Sequence, residues 1–302
     1  MNQPFDPWKR GPIAPRADKR ERAARDLARA KVDAPPLPSE SHASRDLEAG
    51  ATFAHRTGDA RELRLHGLNA VRAAFERRPE ALRKLYLTQA RVAQMKPVLA
   101  WCAQQKIGYR VVEDTDLQKL AASSHHEGVV GDFVREAPVA FDAWLAAVGD
   151  GPRCVLWLDG VGNPHNLGAI LRASAHFGAC AVLVPPTSSL AISGAAARVA
   201  EGGAEHVPIV PMTDASQAMQ SLRDAGFVLA ATVVSGGADV FAHPLPPRVV
   251  IVMGNEGEGM DRSLANQCDM QVSIPGTGAV ESLNVAAATA VLLASWRSAL
   301  KA

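Results

Sequence analysis

The feature that most constrains this chain is the regular beat of its second half. Apolar runs fall at residues 155–158, 181–184, 207–210, 227–234, 249–253 and 271–274. Helical segments lie between them at 167–177, 194–201, 215–225 and 261–266, and a last one runs from 283 to 300. Short continuous apolar strands joined by crossover helices predict an α/β fold, a parallel sheet covered on both faces. In such sheets ligands bind beyond the carboxyl ends of the strands. The loops that follow strands are therefore where chemistry is expected.

The first half is different. Folding signals begin near Leu63. The stretch LHGLNAVRAAFERRPEALRKLYL predicts a helix over 68–77 and a strand over 84–87. VAQMKPVLAWCAQQKIGYRVVE predicts a second helix, a stop at Gly108 and a strand, and DLQKLAASSHHEGVVGDF adds a short helix and a strand. Together they predict a small α/β domain over 61–135. A linker over 136–150 carries one short helix at 141–147, and the larger domain takes 151–302. Residues 1–60 show no sustained apolar period and are rich in Arg, Ala, Pro, Ser and Asp. Residues 16–31 suit a polar helix that Pro35, Pro36 and Pro38 break. So polar a segment buries too little to offset its ordering entropy, and it is expected to be a mostly disordered tail.

Charge separates along the chain. The net charge of +1 combines nine Lys/Arg against four Asp/Glu in residues 1–31 with eight against twelve in residues 150–302. A basic arm ahead of a mildly acidic body suits a polyanion, most simply nucleic acid, or serves only as a solvated tail. No run of 18 apolar residues occurs, so no membrane span is expected. The N-terminal MNQPFDPWKRG lacks the apolar core of a secretory signal. Cys102, Cys154, Cys180 and Cys268 are scattered without a CxxC pair, which argues against a disulfide scaffold and a zinc site and fits the cytoplasm. His125 and His126 are adjacent and face one metal poorly, so no metal is expected. Trp8 in the tail has no assigned role.

Three loops carry the chemical signals. The first, LDGVGNPHNLGAILRASAHFG, runs from a strand through a Gly-rich turn into a helix. It is neither a dinucleotide fingerprint nor a phosphate-binding P-loop, since GxGxxG and GK[ST] are both missing. Asn166 is expected as the N-cap of that helix, and Arg172 falls beside its buried stripe of Leu167, Ile170, Leu171 and Ser174. The second loop, VVIVMGNEGEGM, offers carboxylates as well as backbone amides, which disfavours a phosphate cradle. The third, VSIPGTGAVESLNVAAATAVLLASW, ends a strand at Pro275. Ser282 is the expected N-cap of a nearly all-apolar final helix, which must be buried within the domain or in a subunit interface.

Taken together, Asn166–x–Gly168–Ala169–Ile170–x–Arg172, Gly254–Asn255–Glu256–Gly257–x–Gly259, and Ile274–Pro275 followed by Ser282–Leu283–Asn284–Val285 resemble motifs 1, 2 and 3 of the SpoU (TrmH-like) RNA 2′-O-ribose methyltransferases of the SPOUT superfamily. The resemblance spans roughly the last 150 residues. LHGLNAV and HHEGVV resemble the small RNA substrate-binding domain, related to ribosomal protein L30e, that precedes the catalytic domain in one branch. The family often has Asp where this chain has Asn163, Thr where it has Ala173 and Ser where it has Ala286; all three are flanking positions.

The resemblance implies a parallel sheet whose C-terminal part is threaded into a deep trefoil knot, an exception to the rule that chains avoid knots. It implies S-adenosyl-L-methionine as cofactor, held largely by backbone, with contacts falling on Gly254, Ile274 and Leu283. Catalytic and substrate positions fall on Asn166, Arg172, Glu256, Ser282 and Asn284. It further implies a homodimer in which Arg172 acts near the partner's cofactor, and an RNA substrate, ribosomal or transfer. As a 2′-OH attacks a sulfonium methyl, positive charge leaves sulfur and the oxygen grows more negative, so a cation beside the oxygen helps the transition state most. Arg172 suits that role, but a guanidinium stays protonated in proteins. Proton removal passes instead to a phosphate oxygen, to water or to Glu256. The alternative is an RNA-binding assembly factor with this fold and no turnover. A nucleotide-dependent oxidoreductase is disfavoured by the missing GxGxxG.

Overall fold

The computed structural model describes residues 62–188, 190–255 and 259–301. The expected tail, Trp8 and Glu256 lie outside the described residues.

The smaller domain comprises β1 (Glu62–His66), α1 (Leu68–Arg77), β2 (Leu82–Leu87), α2 (Lys96–Gln105), β3 (Gly108–Val111), α3 (Asp114–Ala121) and β4 (Val129–Val134). Its sheet runs β1-β4-β2-β3, with β4 antiparallel to both neighbours and β3 parallel to β2. Leu65, Leu82, Leu85, Leu87 and Phe133 are buried against Ala70, Val71 and Ala74 of α1 and Val98 and Cys102 of α2. Gly108 does not stop α2 as expected. Lys106 closes the helix in the left-handed region, φ 57°, and Gly108 opens β3 instead. The ladder to β2 takes Gly108 opposite Lys84, so its backbone is already extended.

The segment after β4 carries α4 (Phe141–Ala147). Phe141, Trp144 and Val148 are buried in the same core as Val155 and Trp157, so this helix is anchored to the larger domain. That domain continues with β5 (Arg153–Leu158), α5 (Pro164–Phe177), β6 (Ala181–Val184), α6 (Gly194–Ala200), β7 (Ile209–Pro211), α7 (Ala215–Asp224), β8 (Val228–Thr232), β9 (Ala238–Asp239), β10 (Arg248–Met253), α8 (Arg262–Gln267), β11 (Met270–Ser273) and α9 (Val285–Ala299). Its seven strands run β7-β6-β5-β10-β8-β11-β9, every pairing parallel.

The unbroken apolar strands follow from burial on both faces. Leu156 and Leu158 of β5 and Ile251 and Met253 of β10 face a core built with α5 and α9. Val155, Trp157, Val250 and Val252 face the opposite core, with α4 and α7. Strand β11 lies beyond β8, yet the chain that leaves it returns to seat α9 against α5, so the C-terminal segment passes back across β8 and β10. Trp296 of α9 donates its indole N–H to Pro247 O at 3.1 Å, and Ser295 Oγ donates to Val240 O at 2.9 Å.

The domains share α6. Ala196 and Ala200 enter the core of the larger domain, while Ala197 enters that of the smaller. A Cβ on Gly168 would stand 2.5 Å from Ala196 O and 2.7 Å from Val199 Cβ, so glycine lets α5 and α6 touch through their backbones. Across the same boundary Arg78, itself 6% exposed, donates from Nε and Nη2 to the Glu205 carboxylate at 2.8 and 3.0 Å, and within its own domain from Nη1 to Val134 O at 2.6 Å.

Candidate active site

The first loop begins where β5 ends. Asp159 N donates to Met253 O at 2.8 Å, which ties the turn to β10. Gly160 then takes φ +78°, and a Cβ there would meet Asn255 Cβ at 3.1 Å, so the first and second loops lie against each other. The cap of α5 is Asn163, whose Oδ1 accepts from His165 N at 2.8 Å, followed by Pro164 in the first turn. Pro suits the first helical position because its missing N–H would go unused there. Asn166 is therefore not the cap that the sequence suggested; it lies inside the first turn, half-buried.

This shift releases Asn166 for another partner. Its Oδ1 accepts a hydrogen bond from Asn284 Nδ2 at 3.2 Å, across 118 residues of chain. Asn284 in turn is the N-cap of α9, its Oδ1 accepting from Ala286 N at 2.9 Å and Ala287 N at 3.4 Å. The expected cap, Ser282, is exposed and lies two residues outside the helix cap. An amide can cap with its oxygen and still donate from its nitrogen, which a serine hydroxyl does less well at that reach.

The second loop folds back on itself. Asn255 N donates to Gly259 O and Gly259 N to Asn255 O, both at 3.0 Å. A Cβ on Gly254 would stand 2.4 Å from Met260 N, so only glycine allows this closure. Ile274 is half-buried at the end of β11, and Leu283 and Val280 in the third loop are 48% and 72% exposed. The exposed apolar side chains of the third loop suit the face of a flat heterocycle such as adenine better than a run of phosphates. Burial, and then the neighbouring Asp261 charge, lifts the Asp159 carboxyl above its usual range. Asp261 caps α8 by accepting from Ser263 N at 2.6 Å, which lowers its own value.

Arg172 stands elsewhere. It is exposed on α5 and lines a cleft of about 450 Å³ together with Asn69 and Ala73 of α1, His176, Glu201 and His206. Among the described residues no other predicted site residue lines that cleft. Its floor is set by Gly203, where a Cβ would meet Leu171 O at 2.7 Å and Arg172 Cα at 3.0 Å. Glu201 and Gly202 end α6, both in the left-handed region with φ 51° and 95°. Glu201 also accepts from Asn69 Nδ2 at 2.6 Å, a contact between domains that no local pattern in the sequence announces. Among the described residues no group of three or more His, Cys, Asp or Glu could hold a metal ion, and no helix is long and apolar enough to cross a membrane.

A parallel sheet with three converging loops at its carboxyl edge, two of them tied through asparagine amides, defines a SPOUT-type α/β domain. The SpoU rRNA methylase family matches residues 153–294, and the RNA 2′-O ribose methyltransferase substrate-binding family matches residues 64–138. The chain is 34% identical over 236 residues to a 23S rRNA (guanosine-2′-O-)-methyltransferase of Neisseria meningitidis, covering 77% of this chain and 94% of that protein. It is 37% identical over 237 residues to an uncharacterized tRNA/rRNA methyltransferase of Escherichia coli O157:H7, covering 78% of this chain and 68% of that protein. The AdoMet-bound rRNA methyltransferase from Sinorhizobium meliloti superposes with a TM-score of 0.66 at 25% identity, over 80% of this chain and 88% of that one. The chain belongs to the SpoU methyltransferase family.

Proposed function

We propose that this protein methylates the ribose 2′-OH of a nucleotide in ribosomal RNA, with the loops after β5, β10 and β11 forming the catalytic centre. The class of reaction follows from the family: S-adenosylmethionine-dependent methyl transfer to an RNA ribose. The hydrogen bond from Asn284 to Asn166 carries the placement of the centre, because it joins the first and third motifs at the carboxyl edge of the sheet. The cofactor supplies a methyl group on a sulfonium.

The residues then divide the work. Gly254, Ile274 and Leu283 provide the backbone and apolar surfaces that hold the cofactor. Asn166 and Asn284, held by each other, present amides that orient the ribose, and Ser282 and Glu256 belong to the same polar set. Holding the hydroxyl in line with the methyl removes several kcal/mol from the barrier. Arg172 stabilises the oxygen as it becomes negative and grips an adjacent phosphate with its fork.

Arg172 lines a cleft apart from Asn166 and Gly254, which supports a site completed by a second copy. Helix α9 buries Val285, Thr289, Leu292, Leu293 and Trp296 but leaves Ala287 exposed and Ala290, Val291 and Ala294 half-buried, an apolar face suited to a homodimer. Mixing Arg172→Ala with Gly254→Val chains tests this. If the two residues serve one site from different subunits, co-refolded chains regain about a quarter of parental activity, since half the dimers are mixed and each has one complete site. Activity no higher than that of either variant alone would place both residues in one subunit's site.

A further inference from the structure

A second cavity, of about 520 Å³, opens between the domains and shares no lining residue with the Arg172 cleft. Its polar walls are Arg64 and His66 from β1, Ser123 and His125 from the turn after α3, His165 from α5 and Arg198 from α6. Among the described residues no carboxylate lines it. The neighbouring acids are already engaged. Arg64 holds Asp132 through Nε and Nη2 at 2.6 and 3.1 Å, with Nη1 on Leu120 O at 3.3 Å. Arg198 Nη1 lies 3.9 Å from Glu127, which also accepts from Leu68 N. His66 is 4% exposed, and burial together with Arg198 pushes its imidazole below the usual value, so at neutral pH it supplies polarity without charge. What remains for a ligand is one guanidinium, three imidazoles and a hydroxyl, drawn from both domains.

We propose that this cavity seats a backbone phosphate of the RNA beside the nucleotide being methylated. A phosphodiester is a compact anion that matches a guanidinium fork and nearby N–H donors. His165 and Asn166 are consecutive in the first turn of α5, with side chains about 100° apart around the helix, so the phosphate seat and the amide that orients the ribose open from one helix end. The walls come from both domains, so the contact also fixes how the substrate-binding domain offers its RNA to the catalytic one. The proposal rests on the ribose-methylation reading above and adds the subsite that sets register along the strand.

Full-length Arg198→Gln, Arg198→Lys and His165→Gln chains test it, with unmodified 23S ribosomal RNA as probe and dissociation constants followed against salt at about pH 8, well above the ordinary imidazole value. Arg198→Gln weakens RNA binding by at least about tenfold. It also flattens the slope of log K against log salt by about 0.7 to 0.9, the share of one phosphate contact, and Arg198→Lys restores that slope. His165→Gln weakens binding about fivefold with the slope unchanged. The His165 side chain is exposed and α5 is capped through its backbone N–H, so this variant folds even if the Arg198 variants do not. Parental affinity and slope in Arg198→Gln, or parental affinity in His165→Gln, overturns the proposal. Calorimetry with S-adenosylmethionine on the same chains separates the two readings: absent cofactor binding beside a changed RNA slope removes methylation and leaves the phosphate seat.

Discussion

Asn284 caps the last helix with its side-chain oxygen and hands its amide nitrogen to Asn166 at 3.2 Å, so one residue fixes both the start of α9 and its distance from α5. Cap and tether are separable by chemistry. Asn284→Asp keeps an oxygen for the cap and loses the donor; Asn284→Ala loses both. Asn284→Ala should lower stability by about 1 kcal/mol, while Asn284→Asp melts near the parent. Both should reduce kcat by about tenfold or more, since the amide pair orients the reacting groups. Parental kcat in Asn284→Asp would remove the tether from the catalytic account.

Gly254 should be the most sensitive glycine of the second loop. The added methyl of Gly254→Ala would stand 2.4 Å from Met260 N, so the loop must open. The strain is about 1–3 kcal/mol, and it falls on the surface that holds the cofactor. Calorimetry should show S-adenosylmethionine affinity falling by tenfold or more. Unchanged affinity would mean that the cofactor does not use this loop.

The ion pair between Arg78 and Glu205 fastens the two domains from within, with side chains 7% and 11% exposed. Removing one partner strands the other, and Arg78→Ala should destabilise by about 3–5 kcal/mol. Replacing both with apolar residues of similar volume should recover much of that loss. Denaturant unfolding checks it, and a double variant as unstable as Arg78→Ala would contradict it.

His66 makes stability depend on pH. Its value is lowered in the folded chain by burial first and by Arg198 and His126 next, with Glu127 opposing. The unfolded chain therefore holds the proton more tightly. Stability is complete above the unfolded value, near 6.5, and falls as pH drops through the lower folded value. Thermal melting should decline between about pH 7 and pH 5 in the parent and decline less in His66→Gln. Parallel curves would show that His66 contributes nothing.

Much of this architecture was legible in the residues. The helices at Leu68–Arg77 and Phe141–Ala147 and the strand Ala181–Val184 fall where apolar period and turn residues put them. The caps differ from expectation because neither helix starts at the apolar residue that opens its run in the sequence, Leu167 or Leu283. Pro164 extends α5 by three residues toward Asn163, and on α9 Leu283 is an exposed loop residue, so the cap moves from Ser282 to Asn284. Strands β1 and β9 were missed: a five-residue alternation and a two-residue pairing carry little local signal. The Arg172 cleft was beyond reach for a different reason. Asn69, Glu201 and Gly203 meet Arg172 only through the packing of α1 and α6 against α5, which no local spacing encodes.

The central claim is methyl transfer to a ribose hydroxyl, and it is tested most directly by the chemistry of the product. The purified chain is incubated with methyl-labelled S-adenosylmethionine and ribosomal RNA transcribed without modification, and the RNA is then digested to nucleosides. The account predicts label in a single 2′-O-methylnucleoside, and its loss with Arg172→Ala. Label on a base, or no label from a chain that binds both RNA and cofactor, would contradict it.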